Sequence, residues 1–169
     1  MATPQENLID WLREAHAMEQ QAEKMLTAQA ERLEHYQSLK RRIEQHIEET
    51  RGQQQRISEC LSRYDESPST LKDLTGKVMA FGQAVGGSMM SDEVVKGAMS
   101  GYVFENVEIA AYTVLIEAAK VAGDPETQRA CEETLQQEEA MAKWLLEHLP
   151  EITAAFLARS RNPDLEAKK

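Results

Sequence analysis

The sequence predicts an all-α fold, a four-helix bundle with one short extra helix in the connection between helices two and three. Three observations predict it. Helix formers dominate, and no period-2 strand pattern stands out. Breakers are few and clustered, with 8 glycines and 5 prolines in 169 residues, so the helix ends can be placed. Four long segments each carry apolar residues at helical spacing.

The first helix opens at Thr3-Pro4-Gln5-Glu6, a capping box with proline at the first helical position. It is expected over residues 4–30 or slightly beyond. A polar hinge near His35 to Ser38 leads into a second helix over 39–64, which the Asp65-Glu66-Ser67-Pro68-Ser69 run breaks. A shorter helix over 70–85 ends at Gly86-Gly87-Ser88. Ser91 is expected to cap the third long helix, with Asp92 and Glu93 placed for its dipole, and Gly123 to end it. Asp124-Pro125 caps the last helix over 126–149, which Pro150 is expected to kink before an extension to Arg159.

The long helices, roughly 24 to 28 residues each, span about 36 to 42 Å at 1.5 Å per residue. Short links make hairpins of the first two and of the last two. The segment from Asp65 to Ser91 is long enough to cross the bundle. One long crossover between two hairpins is the connection pattern of ferritin-like bundles. A single domain over 1–160 follows, with 161–169 as a disordered tail.

Nineteen basic against 29 acidic residues leave a net charge of −10. Phosphate backbones need a basic surface, so nucleic acid is excluded as a partner, and anionic membranes with it. The N-terminus is polar and acidic, unlike a signal peptide, and no apolar run is suited to span a bilayer. A cytoplasmic protein is expected. Cys60 and Cys131 form no CxxC and read as buried reduced thiols.

The stretch 94–121 is apolar almost all round, which predicts burial, yet it carries Glu105 and Glu108 one turn apart. Buried carboxylates cost several kcal/mol unless paired, hydrogen-bonded or metal-bound. Other helices offer similar groups. Glu19 falls on the first stripe, between Ala15 and Ala22. His46 lies on the second, with Glu49 on its flank. Glu138 falls on the last, among Cys131, Leu135 and Ala142. Each lies near the middle of its helix, so the groups converge at one level, as dinuclear iron or manganese sites in bundles require. Carboxylates bridge two hard cations and imidazole completes the shell.

Blander readings stand beside this one. Glu19 alone reads as a core-edge glutamate, Glu138 competes with Glu139 for the inward position, and His46 alone reads as a hydrogen-bonded core histidine. Glu49 belongs to an acidic run with Glu44 and Glu48. The spacing leaves open which of Glu105 and Glu108 points inward. His16 reads as a supporting or surface residue, and Tyr102 and Tyr112 as core tyrosines with bonded hydroxyls.

The segments Asp10-Trp11-Leu12-Arg13-Glu14-Ala15-His16-Ala17-Met18-Glu19, Ile43-Glu44-Gln45-His46-Ile47-Glu48-Glu49-Thr50 and Gly101-Tyr102-Val103-Phe104-Glu105-Asn106-Val107-Glu108-Ile109-Ala110 resemble the YciE/YciF family of bacterial stress proteins, most closely its YciE branch. The resemblance covers nearly the whole chain. It implies a ferritin-like fold of five helices, related in shape to rubrerythrin, and a homodimer. Related di-iron domains carry Glu on helix one, Glu-x-x-His on helix two, Glu or Glu-x-x-Glu on helix three and Glu-x-x-His on helix four. The sequence matches at Glu19, at Glu105 with Glu108, and at Glu138. It departs at His46-x-x-Glu49, which is reversed, and at Met141, where a histidine is expected; a thioether is a poor ligand for hard iron.

Two functions remain open. One is a ferritin-like stress-associated protein with a carboxylate-bridged dinuclear centre of Glu19, His46, Glu49, Glu105, Glu108 and Glu138. It would hold two iron ions, with manganese or zinc as alternatives, and oxidise Fe(II) with oxygen or peroxide. The other is a metal-free, non-enzymatic helical homodimer acting as a structural or interaction protein. A storage cage is disfavoured by the short helix and by Pro150.

Overall fold

The computed structural model describes residues 1–65 and 92–162. Four helices make it up: α1 (Pro4–Arg32), α2 (Gln37–Ser62), α3 (Glu93–Ala122) and α4 (Pro125–Ser160). No strand occurs among the described residues. The short helix expected over 70–85, the Ser91 cap and the tail from 163 lie outside them.

The ends follow the local chemistry. Thr3 Oγ1 accepts from the Glu6 N–H at 3.2 Å, and the Glu6 carboxylate accepts from the Thr3 N–H at 2.6 Å. This is the capping box read from the sequence. Gly123 closes α3 in the left-handed region (φ 74°), where glycine escapes the Cβ penalty. Asp124 then caps α4 by accepting from the N–H groups of Glu126 and Thr127. Asp92, at the N-cap of α3, makes no side-chain capping bond and instead pairs with Lys96 at 3.1 Å. Pro150 does not end α4, which continues to Ser160. Pro150 and Leu146 are both exposed, so the carbonyl that loses its bond lies on the solvent side.

Two apolar clusters fix the topology. One joins Leu26 and Ala30 of α1, Leu39 and Ile43 of α2, Val94 and Ala98 of α3, and Leu145 and Ile152 of α4. The other joins Leu8 and Leu12, Ile57 and Leu61, Leu115 and Ala119, and Cys131. The start of α1 therefore meets the ends of α2 and α3 and the start of α4. α2 and α3 run parallel, so the chain leaves α2 at one end of the bundle and enters α3 at the other. This is the long crossover expected from the connection lengths. α1 packs on α2 and α3, and α4 on α3 and α2, so packed neighbours are antiparallel.

The expectation that α3 is buried all round is corrected. Met99, Val103, Val107, Val114 and Val121 are 37–64% exposed. At 100° per residue they fall within one narrow stripe, on the side away from the core. Trp11 of α1, 39% exposed, and Val114 and Val121 line the same shallow groove. Cys60 and Cys131 are buried free thiols, as the sequence suggested.

Candidate metal centre

Between the two apolar clusters lies a polar layer. Its members are Glu19 of α1, His46, Thr50 and Gln53 of α2, Glu105 and Glu108 of α3, and Glu138 of α4, all 0–2% exposed. The helical stripe brings them inward: Glu19 continues Leu12 and Ala15, and His46, Thr50 and Gln53 continue Leu39 and Ile43. Both Glu105 and Glu108 face in, which settles a choice the spacing left open.

His46, Glu105, Glu108 and Glu138 each offer a ligand atom, and these atoms lie within 4.8 Å of one another. His46 Nε2 is 3.1 Å from Glu105 Oε2 and 3.3 Å from Glu138 Oε2. Glu19 stands beside this group rather than within it: its Oε1 accepts from the Tyr112 hydroxyl at 2.5 Å. Glu49 is turned away. Its Oε2 lies 2.7 Å from His46 Nδ1, its side chain is 20% exposed, and Arg42 at 3.2 Å and Gln45 at 2.8 Å hold it. Glu49 therefore faces the far nitrogen of the imidazole, in the outer position that orients a metal-binding histidine. His16 is buried and shares a hydrogen bond with Ser58 Oγ at 3.1 Å.

The electrostatics are those of an excess of buried acid. Among the described residues no lysine or arginine pairs with Glu19, Glu105, Glu108 or Glu138. Burial pushes the Glu105 carboxyl up to about 8, against the pull of His46. Burial and then Glu138 raise Glu19 well above the usual carboxylate range. Burial, Glu19 and Glu138 do the same to Glu108. Burial alone would lower His46, yet Glu105, Glu138 and Glu49 together hold it well above the ordinary imidazole value. Glu49, despite partial burial, is drawn down to about 2 by His46 and Arg42.

Two of the buried carboxylate oxygens, Glu19 Oε2 and Glu108 Oε1, have no hydrogen-bond partner, and Glu138 Oε2 has only the 3.3 Å contact with His46 Nε2. Buried polar atoms are normally satisfied. A set of orphaned oxygens beside one imidazole fits a divalent cation: hard oxygen donors with a single nitrogen suit iron, manganese or zinc.

Residues 3–158 match the model of a family described as a domain of unknown function, DUF892. The chain belongs to this family. A protein of solved structure from Xanthomonas campestris pv. campestris is 42% identical, covering 95% of this chain and 100% of its own, with a TM-score of 0.80. The Escherichia coli stress protein YciF is 20% identical over 88% of this chain and 96% of its own, with a TM-score of 0.71. A dodecameric thioferritin from Bacteroides fragilis is 20% identical over 88% of this chain and 87% of its own, with a TM-score of 0.73. The last two likenesses speak for the fold, which is ferritin-like. The family membership agrees with the YciE/YciF resemblance.

The sequence reading missed Gln53 as part of the layer. Its signal was present: Gln53 sits between Thr50 and Ile57 on the apolar stripe of α2, where a glutamine needs a partner.

Proposed function

We propose that the protein is a ferritin-like metal protein whose polar layer holds two divalent ions, with iron the first candidate and manganese or zinc the alternatives. The observation that carries this reading is the cluster of ligand atoms from His46, Glu105, Glu108 and Glu138 within 4.8 Å of one another, with Glu108 Oε1 and the neighbouring Glu19 Oε2 lacking a hydrogen-bond partner. Four buried glutamates match the charge of two divalent cations. His46 would bind through Nε2, and Glu105, Glu108, Glu138 and Glu19 through oxygen. Glu49, placed among the ligands by the sequence reading, serves here as the acceptor for His46 Nδ1–H. That bond fixes the tautomer and the ring, while Arg42 keeps Glu49 anionic. Bound iron supplies one-electron oxidations at each ion, which together match the two-electron reduction of a peroxide; the apolar clusters above and below exclude bulk water. A stress-associated role in the cytoplasm accords with this chemistry.

Metal analysis after anaerobic Fe(II) loading tests the reading. Wild type should retain about two ions per chain and Glu105→Ala and Glu138→Ala far less, because a dinuclear centre in a bundle depends on each carboxylate that its helices project inward. Wild type that retains no metal overturns it.

The alternative is a metal-free helical protein. It is favoured by the His46 contacts to Glu105 and Glu138, which close part of the layer without a cation, and by Met141, buried where a second imidazole would stand. On this alternative, EDTA leaves the melting temperature unchanged.

The assembly proposed on either reading is a homodimer through the outer face of α3. The stripe from Met99 to Val121 is apolar, and a chain of charge −10 self-associates most readily through an uncharged face. Val107→Glu with Val114→Glu should give monomers in sedimentation equilibrium; an unchanged mass removes this face from the assembly.

A further inference from the structure

Two neutral donors reach the polar layer from outside the ligand set. Gln53 Nε2 of α2 donates to Glu138 Oε1, and also to Gln137 Oε1 at 3.1 Å. Two acceptors on one nitrogen fix the amide: reversed, it would set an oxygen against both. Gln137 is itself held, since its Oε1 accepts from Arg56, which also donates to Thr134 Oγ1 at 3.3 Å and Glu133 Oε1 at 3.0 Å. The orientation of the buried amide is thus set by a chain of bonds reaching the surface of the α2–α4 seam. On the other side, Tyr112 of α3 donates to Glu19 Oε1 at 2.5 Å.

The two donors do the same thing to two carboxylates. Each takes one oxygen and leaves the other turned to the layer: Glu19 Oε2 has no hydrogen-bond partner, and Glu138 Oε2 has only His46 Nε2 at 3.3 Å. A carboxylate with both oxygens free can chelate one ion or bridge two with both atoms. A carboxylate oxygen that already accepts from a protein donor is held in place and is a weaker ligand, so the second oxygen is the better placed to bind. Even with every oxygen used, the single imidazole and the four carboxylates supply fewer donor atoms than two six-coordinate shells need, and these two bonds widen the shortfall. The layer also holds two polar atoms that no cation needs. Gln53 Oε1 and Thr50 Oγ1 are both buried and without a hydrogen-bond partner. A ligand carrying a proton, such as hydroxide or hydroperoxide, would find an acceptor there.

Resting on the metal reading above, we propose that Gln53 and Tyr112 are positioning residues that restrict Glu138 and Glu19 to one oxygen each and so keep a coordination position open for a small exogenous anion. They touch the carboxylates, not the ion, and they set how many sites the protein leaves for an incoming ligand rather than whether metal binds.

The full-length chain loaded anaerobically with Co(II) tests this, with bound metal measured first and azide then added. The d–d absorption reports coordination number. Wild type should bind Co(II) and change its spectrum on azide addition. Gln53→Met and Tyr112→Phe, both close in volume to the native residue, should retain Co(II), shift toward higher coordination, and bind azide at least tenfold more weakly. A structural role alone would lower the melting temperature of the chelated variants and leave azide affinity as in wild type. Gln137→Met, which frees Gln53 of its second acceptor without entering the layer, should weaken azide by a smaller factor and covers the case in which Gln53→Met fails to fold. Wild-type azide binding in variants that hold Co(II), or a wild-type Co(II) spectrum indifferent to azide, overturns the proposal while the metal reading stands. Absence of Co(II) from wild type overturns both.

Discussion

The polar layer and the apolar layers on either side of it are built from the same four helices and are equally buried, yet they meet opposite physical demands. Leu8, Leu12, Leu61 and Leu115 gain by leaving water and need nothing from their neighbours but shape. Glu19 and Glu108 lose by leaving water, and each keeps a carboxylate oxygen without a hydrogen-bond partner. The bundle carries its unfavourable layer in the middle, clamped by apolar contacts at both ends. The contrast shows which layers stabilise the fold and which layer the fold holds in place at a cost.

The largest effect that would break this comparison concerns the apolar layers. Leu12→Ala or Leu61→Ala should cost about 2–5 kcal/mol in urea unfolding with chelator present, by lost transfer energy and a residual cavity. Metal stoichiometry should stay as in wild type for whatever fraction remains folded. If these variants lose little stability while metal binding fails, the division of labour is wrong.

The polar layer should respond with the opposite sign. Glu108→Leu replaces a buried acid by an apolar group of similar size, and in chelator it should raise stability by about 1–4 kcal/mol, since unpaired buried acids are commonly worse than packed hydrocarbon. The same variant should lose metal-dependent stabilisation. A clear drop in the stability of the metal-free variant would mean that Glu108 is already well partnered without a cation.

The pH dependence sharpens the same point. Glu19, Glu105 and Glu108 have folded-state pKa values above those of the open chain, so the stability linked to their protons is present below the ordinary carboxylate value and is lost as pH rises through the raised value, about 8 for Glu105. His46, also raised, has the same sign over a window that begins at its ordinary value of 6.5. Glu49, drawn down to about 2, has the reverse sign and matters only in strong acid. The metal-free melting temperature should therefore fall between pH 5 and pH 8.5. Protein loaded with Mn(II) should gain more over the metal-free form at pH 8 than at pH 6, because the ion needs the deprotonated ligands. Calorimetry at both pH values checks both trends. A metal-free protein that grows more stable toward pH 8 would contradict the description of the layer.

The smallest effect concerns the edge of the layer. Glu49→Ala removes the acceptor for His46 Nδ1–H but no proposed ligand, and should weaken metal binding about 10–100-fold in a chelator competition without abolishing it. Complete loss would return Glu49 to the ligand set.

Part of the site was legible in the sequence because helical spacing is a local property. Once Leu12, Ala15 and Ala22 define the inner face of α1, Glu19 falls at or beside it, and Cys131, Ala142 and Leu145 do the same for Glu138, with Glu139 as its competitor. The pairing of Glu105 with Glu108 one turn apart on an apolar segment was equally visible. The placement of the Glu49 carboxylate was not. Spacing places a residue on a face, but whether its carboxylate meets a shared centre or the far side of a neighbouring ring depends on Arg42 and Gln45 beside it. The outward stripe of α3 was hidden for a related reason: valine and methionine look alike whether a core or a partner covers them.

The sequence by itself determined the four long helices, their caps at Thr3, Gly123 and Asp124, the level at which the acidic groups fall along them and the need for a long crossover, because each follows from hydrogen-bonding chemistry or periodicity within a few residues. Only the tertiary structure decided that Gln53 bonds Glu138 across the seam and that Tyr112 bonds Glu19. These contacts join residues 85 and 93 positions apart, and the register between packed helices, which sets them, is a property of the whole core.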